Sequence, residues 1–230
     1  MRYKNIVEGI FIKRINRFVA HVLISGQETI VHVKNTGRCK ELFIEGRKVY
    51  LQESDNPNRK TKFSLIAIYK EGKLINIDSQ VPNQVVYEAI ESGQIKGFEK
   101  LTYLKREKTY GNSRFDMYYE TESARGFIEV KGVTLEIDGL SKFPDAPTTR
   151  GTKHVRELIL GQNEGYKNYI ILLIQLEEVR SWQPNDVTDP NFAKAIKEAY
   201  EAGVEIRCYN SIITEDSIII KEELEHDYKL

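Results

Sequence analysis

The sequence predicts a small OB-like β-barrel over residues 1–80, followed by an α/β domain with a central mixed sheet over residues 81–230, an α+β or α/β chain by class. Three observations predict it. Short apolar strands separated by glycines fill the first part, and strands alternate with helices in the second. The charge also divides between them: residues 1–76 hold 15 Lys and Arg against 7 Asp and Glu, and residues 77–230 hold 19 against 27. A +8 segment joined to a −8 body suggests a module for a polyanion attached to an acidic domain that holds metal, or two parts that attract each other.

In the first part the expected strands are Val7–Ile12, Phe18–Ile24, Thr29–Val33, Lys48–Leu51, Ser64–Tyr69 and Leu74–Ile77, punctuated by Gly26, Gly37, Gly46 and Gly72. Five or six short strands in this length argue for a closed barrel, and such barrels often bind oligonucleotides on one face and its loops. Lys13, Arg14 and Arg17, Lys34 with Arg38 and Lys40, and Arg59 and Lys60 with Lys62 fall at strand ends or turns. Each is expected to add a phosphate contact and a salt dependence. His21 and His32 lie in apolar strands, as core or rim residues.

Val81-Pro82-Asn83 breaks the strand pattern, and Asn83–Gly93 reads as a helix capped by Asn83, ended by Gly93 and buried along Val85, Val86, Ala89 and Ile90. Glu88 is the acid of this helix that can turn toward a site on the sheet; a solvated helix glutamate is the alternative. Arg114–Tyr119 and Phe127–Thr134 follow as two strands joined by a polar turn. Side chains alternate along a strand, so Glu129 and Lys131 share one face, and a hairpin sets Asp116 beside them. Two carboxylates that close repel unless a cation sits between them, and a lysine alongside suits metal-activated water attacking a phosphodiester. The same spacing also describes a solvated face with a surface ion pair. The apolar neighbours Phe127, Ile128, Val130 and Val133 argue against a wet strand.

Leu135–Thr149 reads as a loop, and a helix begins at Arg150, where Arg150, Lys153 and His154 suit a phosphate. Tyr169–Leu176 is apolar throughout, as in a strand covered on both faces. A helix over Phe192–Ala202, a strand over Val204–Tyr209, a further strand at Ile218–Ile220 and a charged helix end or frayed tail complete the chain. Cys39 and Cys208 are widely separated and outside any C-x-x-C pair, so free thiols are expected. Gly-rich phosphate loops and the G-x-S-x-G elbow are absent from the sequence, which argues against nucleotide hydrolysis and serine esterase chemistry. No apolar run is long enough to cross a bilayer, and a cytoplasmic location is the default expectation.

Many motifs in order then match one family. They are Gly9-x-x-Ile12-Lys13-Arg14, Val31-His32-Val33-Lys34-Asn35-Thr36-Gly37, Ser54-x-Asn56-Pro57-x-Arg59-Lys60 and Pro82-Asn83 with Glu88-Ala89-Ile90. Further on come Tyr110-Gly111-x-Ser113-Arg114-x-Asp116, Glu129-Val130-Lys131-x-Val133-Thr134, Phe143-Pro144-Asp145-Ala146 and Thr149-Arg150-Gly151-x-Lys153-His154. From end to end the chain resembles the SfsA family, the sugar fermentation stimulation proteins. One departure is Arg38-Cys39, where the family usually has a small residue and Met.

The resemblance implies DNA binding by a barrel-like first domain and a second domain similar to PD-(D/E)XK nucleases. It implies that Asp116, Glu129 and Lys131 match the nuclease motif, with Asp116 and Glu129 as metal ligands and Glu88 as the acid from the preceding helix. The expected function is a DNA-binding protein, regulatory in one reading, with a nuclease-like metal site; the alternative is an active Mg²⁺-dependent nuclease. Mg²⁺ or Mn²⁺ is the expected cofactor. DNA is the expected partner, RNA a second candidate and a homodimer one candidate assembly, with no membrane. Arg114, Arg150, Lys153 and His154 join Lys13, Arg14, Arg17, Lys34, Arg38, Arg59 and Lys60 as the expected nucleic-acid contacts.

Overall fold

Alternating burial builds the first domain. In the computed structural model, which describes residues 1–35 and 37–226, strands β1 (Ile6–Arg14), β2 (Val19–Ile24), β3 (Gln27–Val33), β4 (Lys48–Glu53), β5 (Phe63–Lys70) and β6 (Lys73–Asn76) form one sheet. Its order is β3-β2-β1-β4-β5-β6, and a parallel pairing of His32 with Ser64 and Val33 with Leu65 joins β3 to β5. That pairing closes five strands into the OB barrel, with β6 as an added edge. Phe11, Ala20, Val22, Val31, Val49, Leu51, Leu65 and Ile68 point inward and are buried. Strands β1, β2 and β3 thereby bury one side and leave the other largely to solvent, whereas β4 and β5 also bury Tyr50, Ile66 and Ala67 on the other side, in the cluster that holds Val85 and Val86.

The second domain is a six-stranded mixed sheet of order β15-β14-β12-β9-β8-β7, comprising β7 (Leu101–Tyr110), β8 (Ser113–Thr121), β9 (Arg125–Val133), β12 (Tyr169–Ile174), β14 (Glu205–Ile213) and β15 (Ile218–Glu223). The strands β9, β12 and β14 run parallel, and antiparallel strands flank them. Helix α1 (Pro82–Glu91) covers one face, and α2 (Thr149–Asn163) and α3 (Pro190–Glu201) pack on the other. Every residue of β12 is buried, and the strand divides by parity. Ile170, Leu172 and Ile174 pack in the cluster that holds Val155, Leu158, Phe192 and Ile196, whereas Tyr169, Ile171 and Leu173 pack with Val85, Val86 and Ala89. A strand covered on both sides has to be apolar at both parities.

Four features depart from the sequence reading. The strand β7 was not foreseen, because its burial is low along its whole length and Lys105, Arg106 and Lys108 interrupt its apolar pattern. As an edge strand it is kept polar. The expected loop over residues 135–149 holds two short strands, β10 (Glu136–Ile137) and β11 (Leu140–Phe143), which join β13 (Ser181–Pro184) and β16 (Glu225–His226) in a second small sheet. Residues 221–223 and 225–226 of the expected tail belong to β15 and β16; Thr36 and residues 227–230 lie outside the described residues. Asn83 does not cap α1. With Pro82 at the helix start, Val81 occupies the cap position without a side-chain bond, and Asn83 falls inside the first turn.

Cys39 and Cys208 are free and buried. Among the described residues no helix is long and apolar enough to cross a membrane. The barrel joins the second domain through Gln175, at the end of β12, whose amide donates to Asn76 Oδ1 at 2.9 Å and to the Asp78 carbonyl at 3.1 Å.

Candidate metal and nucleic-acid site

The antiparallel ladder between β8 and β9 runs from the Glu120–Arg125 pair to the Met117–Ile128 pair and stops there. Beyond it the Val130 N–H donates to Asp116 Oδ2 at 2.8 Å, and Asn83 Nδ2 donates to Asp116 Oδ1 at 2.7 Å. One residue along β9, Glu129 is buried, and its Oε1 accepts from Lys131 Nζ and from His154 Nδ1, the latter at 2.7 Å. Arg150 Nε in turn approaches His154 Nε2 at 3.4 Å. Glu129 Oε2 is buried without a partner. The hairpin thus brings Asp116, Glu129 and Lys131 together, and α1 and α2 supply one polar side chain each from opposite faces of the sheet.

The two carboxyls are driven in opposite directions. Burial first, and the charge of Glu129 second, push the Asp116 carboxyl above its usual value against the pull of the Val130 N–H, Lys131 and Asn83. Burial also opposes ionisation of Glu129, but Lys131 and His154 outweigh it and hold its carboxyl below the usual range. A buried carboxylate oxygen without a donor, beside a second carboxyl resisting its charge, is the donor set a hard divalent cation relieves. Asp116 and Glu129 fit such an ion through oxygens that retain unused lone pairs. Among the described residues no group of three or more His, Cys, Asp or Glu is arranged to hold a metal, so protein ligands beyond this pair would have to be neutral oxygens or water.

Glu88 does not join the site. It lies five residues beyond Asn83, about 140° round the helix, and so faces elsewhere. Its carboxylate pairs with the Met1 ammonium at 2.8 Å and accepts from Gln84 Nε2 at 2.7 Å. The side chain from α1 that does reach Asp116 is Asn83. Its signal in the sequence was the preceding proline, which claims the first helical position and frees the asparagine from capping.

Several expected nucleic-acid contacts are committed within the fold. Arg14 spends its guanidinium on five carbonyls, those of Asn16, Arg17, Asn35, Gly37 and Arg38 at 2.6–3.1 Å, and stacks over Phe43. Lys34 pairs with buried Asp78 at 3.0 Å, and Arg59 donates to Ser64 Oγ at 3.1 Å. His154 is buried against Glu129 and cannot meet a phosphate directly. Thr148 caps α2 by accepting from the Gly151 N–H at 3.1 Å, which removes one donor from the helix end expected to hold a phosphate.

Lys13, Arg17, Arg38 and Lys60 are exposed on the barrel. Arg114, Arg150 and Lys153 are exposed on the second domain, with Arg114 3.5 Å from Glu107 and Lys153 donating to the Asn112 carbonyl at 2.8 Å. Between the domains lies a cleft of about 270 Å³ whose lining includes Asn35, Thr134, Asp145, Gln175 and Gly132, the neighbour of Lys131.

The profile described as "SfsA N-terminal OB domain" matches residues 12–77, and that described as "Sugar fermentation stimulation protein RE domain" matches residues 80–217. The chain belongs to the SfsA family. A sugar fermentation stimulation protein homolog of Alkaliphilus oremlandii is 51% identical over 234 residues, covering 100% of both chains. One from Clostridium tetani is 52% identical over 222 residues, covering 96% of each. Among solved structures, that described as Pyrococcus furiosus SfsA in complex with Ca²⁺ superposes with a TM-score of 0.90 at 31% identity, over 99% of this chain and 98% of that one. The two-domain SfsA architecture is therefore shared along the whole chain.

Proposed function

We propose that this SfsA protein binds nucleic acid and hydrolyses phosphodiester bonds at Asp116, Glu129 and Lys131 with a divalent cation. The observation that carries the reading is the buried, partnerless Glu129 Oε2 beside Asp116, whose ionisation burial and Glu129 oppose. The Ca²⁺ complex of the Pyrococcus furiosus relative supports the same class of ion. When bound, such a cation offsets phosphate charge and makes water a better nucleophile near neutral pH.

The chain's own residues do the remaining work. Lys131 and His154 fix one oxygen of Glu129 and thereby orient the other. Asn83 and the Val130 N–H fix both oxygens of Asp116, so the pair is held in place before a ligand arrives. Lys131 is the group within reach to steady a phosphoryl oxygen or move a proton. Arg114, Arg150 and Lys153 attract the flanking backbone.

A second reading is a DNA-binding, regulatory protein that does not cut. The absence, among the described residues, of a three-member acidic or histidine cluster favours it. Incubation with labelled DNA and RNA in Mg²⁺, Mn²⁺ or chelator, beside Asp116→Ala and Lys131→Ala, separates the two. Cation-dependent cleavage lost in both variants supports hydrolysis; binding without cleavage under every metal leaves the second reading.

A further inference from the structure

The outer face of strands β1, β2 and β3 carries an apolar surface that the barrel does not use. In register across the three strands lie Ile10, Leu23 and Glu28, then Lys13, His21 and Ile30, then Val19 and His32. Ile10, Leu23 and Ile30 are exposed, as are Ile15 and Phe18 in the adjoining turn, and Ile15, Phe18 and Ile30 each show more than half their surface. The acid within these rows, Glu28, is engaged by His21 at the rim. Lys13 and Arg17 stand exposed beside the patch.

The turn that presents Phe18 is fixed. Its N–H donates to Asn16 Oδ1 at 2.9 Å, and its carbonyl accepts from the Val33 N–H at 2.8 Å and from His32 Nδ1 at 3.1 Å. Arg14 holds the Asn16 and Arg17 carbonyls of the same turn from behind. An exposed ring on an anchored backbone is a preorganised contact.

We infer that this face is a platform for single-stranded nucleic acid, in which unpaired bases lie on Phe18, Ile30, Leu23 and Ile10 while Lys13 and Arg17 meet the phosphates. The argument rests on the proposed nucleic-acid reading and on complementarity. A duplex hides its bases and would set a polyanionic backbone against aliphatic side chains. A single strand offers both an apolar face for the patch and charge for the flanking cations, and stacking tolerates any base.

The test is fluorescence anisotropy of the full chain in chelator, with a labelled single strand of mixed sequence and its duplex. The expected result is at least tenfold tighter binding of the single strand. Phe18→Ala lowers that affinity about tenfold, Phe18→Trp restores it, and neither changes duplex binding. Lys13→Ala weakens both ligands and reduces the salt slope by about one. Equal or tighter duplex binding together with indifference to Phe18 would overturn the inference and leave the nucleic-acid reading intact. Binding of neither ligand would sink both. A concentration-dependent dimer dissolved by Ile30→Asp, with strand binding unchanged, would assign the patch to a second copy instead.

Discussion

Val130 donates its backbone N–H to the carboxylate of Asp116 at 2.8 Å, just past the point where the β8–β9 ladder ends. The acid is thus the acceptor for a strand N–H, and in the proposed function it is a cation ligand as well.

These tasks can be separated by substitution. Asp116→Ala removes both and leaves the Val130 N–H without its acceptor, at a cost of about 1–3 kcal/mol. Asp116→Asn retains an acceptor oxygen, and Asn83 can turn its amide to match. Both variants are expected to lose cation-dependent cleavage by a factor on the order of a hundred or more, with nucleic-acid affinity in chelator unchanged. Only the alanine should lower the denaturant midpoint. Full cleavage by either variant would remove Asp116 from the site.

Gly132 lets the helix that carries Asn83 approach β9. A Cβ at this position would lie 2.5 Å from Gln175 Oε1 and 2.6 Å from Pro82 Cγ, so at least one neighbour must move. Gly132→Ala is expected to cost about 1–3 kcal/mol and to shift Asn83 away from Asp116. Cleavage should fall while binding to the barrel persists. Unfolding curves and single-turnover cleavage measure the two effects, and an unperturbed variant would show that the approach is not needed.

The barrel and the second domain share an ion cluster. Buried Glu136 accepts from Lys70 at 3.0 Å, Lys73 at 3.2 Å and the Gly139 N–H at 2.7 Å. Burial opposes its ionisation, but Gly139, Lys70 and Lys73 outweigh burial and hold the carboxyl below its usual value. A lowered carboxyl contributes stability above its unfolded value, about 4.3, and loses it as pH falls through the folded value. Glu136→Gln should therefore destabilise at neutral pH by about 3 kcal/mol and make little difference once both proteins are in strong acid. Melting temperatures across this range decide it; a deficit that stays constant with pH would mean that charge is not the cause.

Arg14 distinguishes a structural cation from a ligand contact. A lysine cannot span five carbonyls from a single ammonium, so Arg14→Lys is expected to lose about 2–3 kcal/mol of stability with the salt dependence of binding unaltered. Unchanged stability with weakened nucleic-acid binding would return Arg14 to the phosphate contacts.

What the sequence determined by itself is what short-range pattern can encode. Alternation at period two marked the barrel strands and the hairpin, and that hairpin alone was enough to pair Asp116 with Glu129 and Lys131. The apolar run at residues 169–176 announced a strand covered on both sides, and β12 is buried at every position. Tertiary structure decided the rest, because partners far apart in the chain are chosen by packing, which leaves no local period. Docking of α2 on β9 brought His154 to Glu129, and the start of α1 gave Asp116 an asparagine while Glu88 turned to the Met1 ammonium. Basic residues that read alike in the sequence were divided by burial. Arg14 and Lys34 gave their charge to loop carbonyls and to Asp78, whereas Lys13 and Arg17 remain in solvent beside Phe18. A long cation on a turn can satisfy a buried acceptor or wait for a ligand, and only the fold around it determines which.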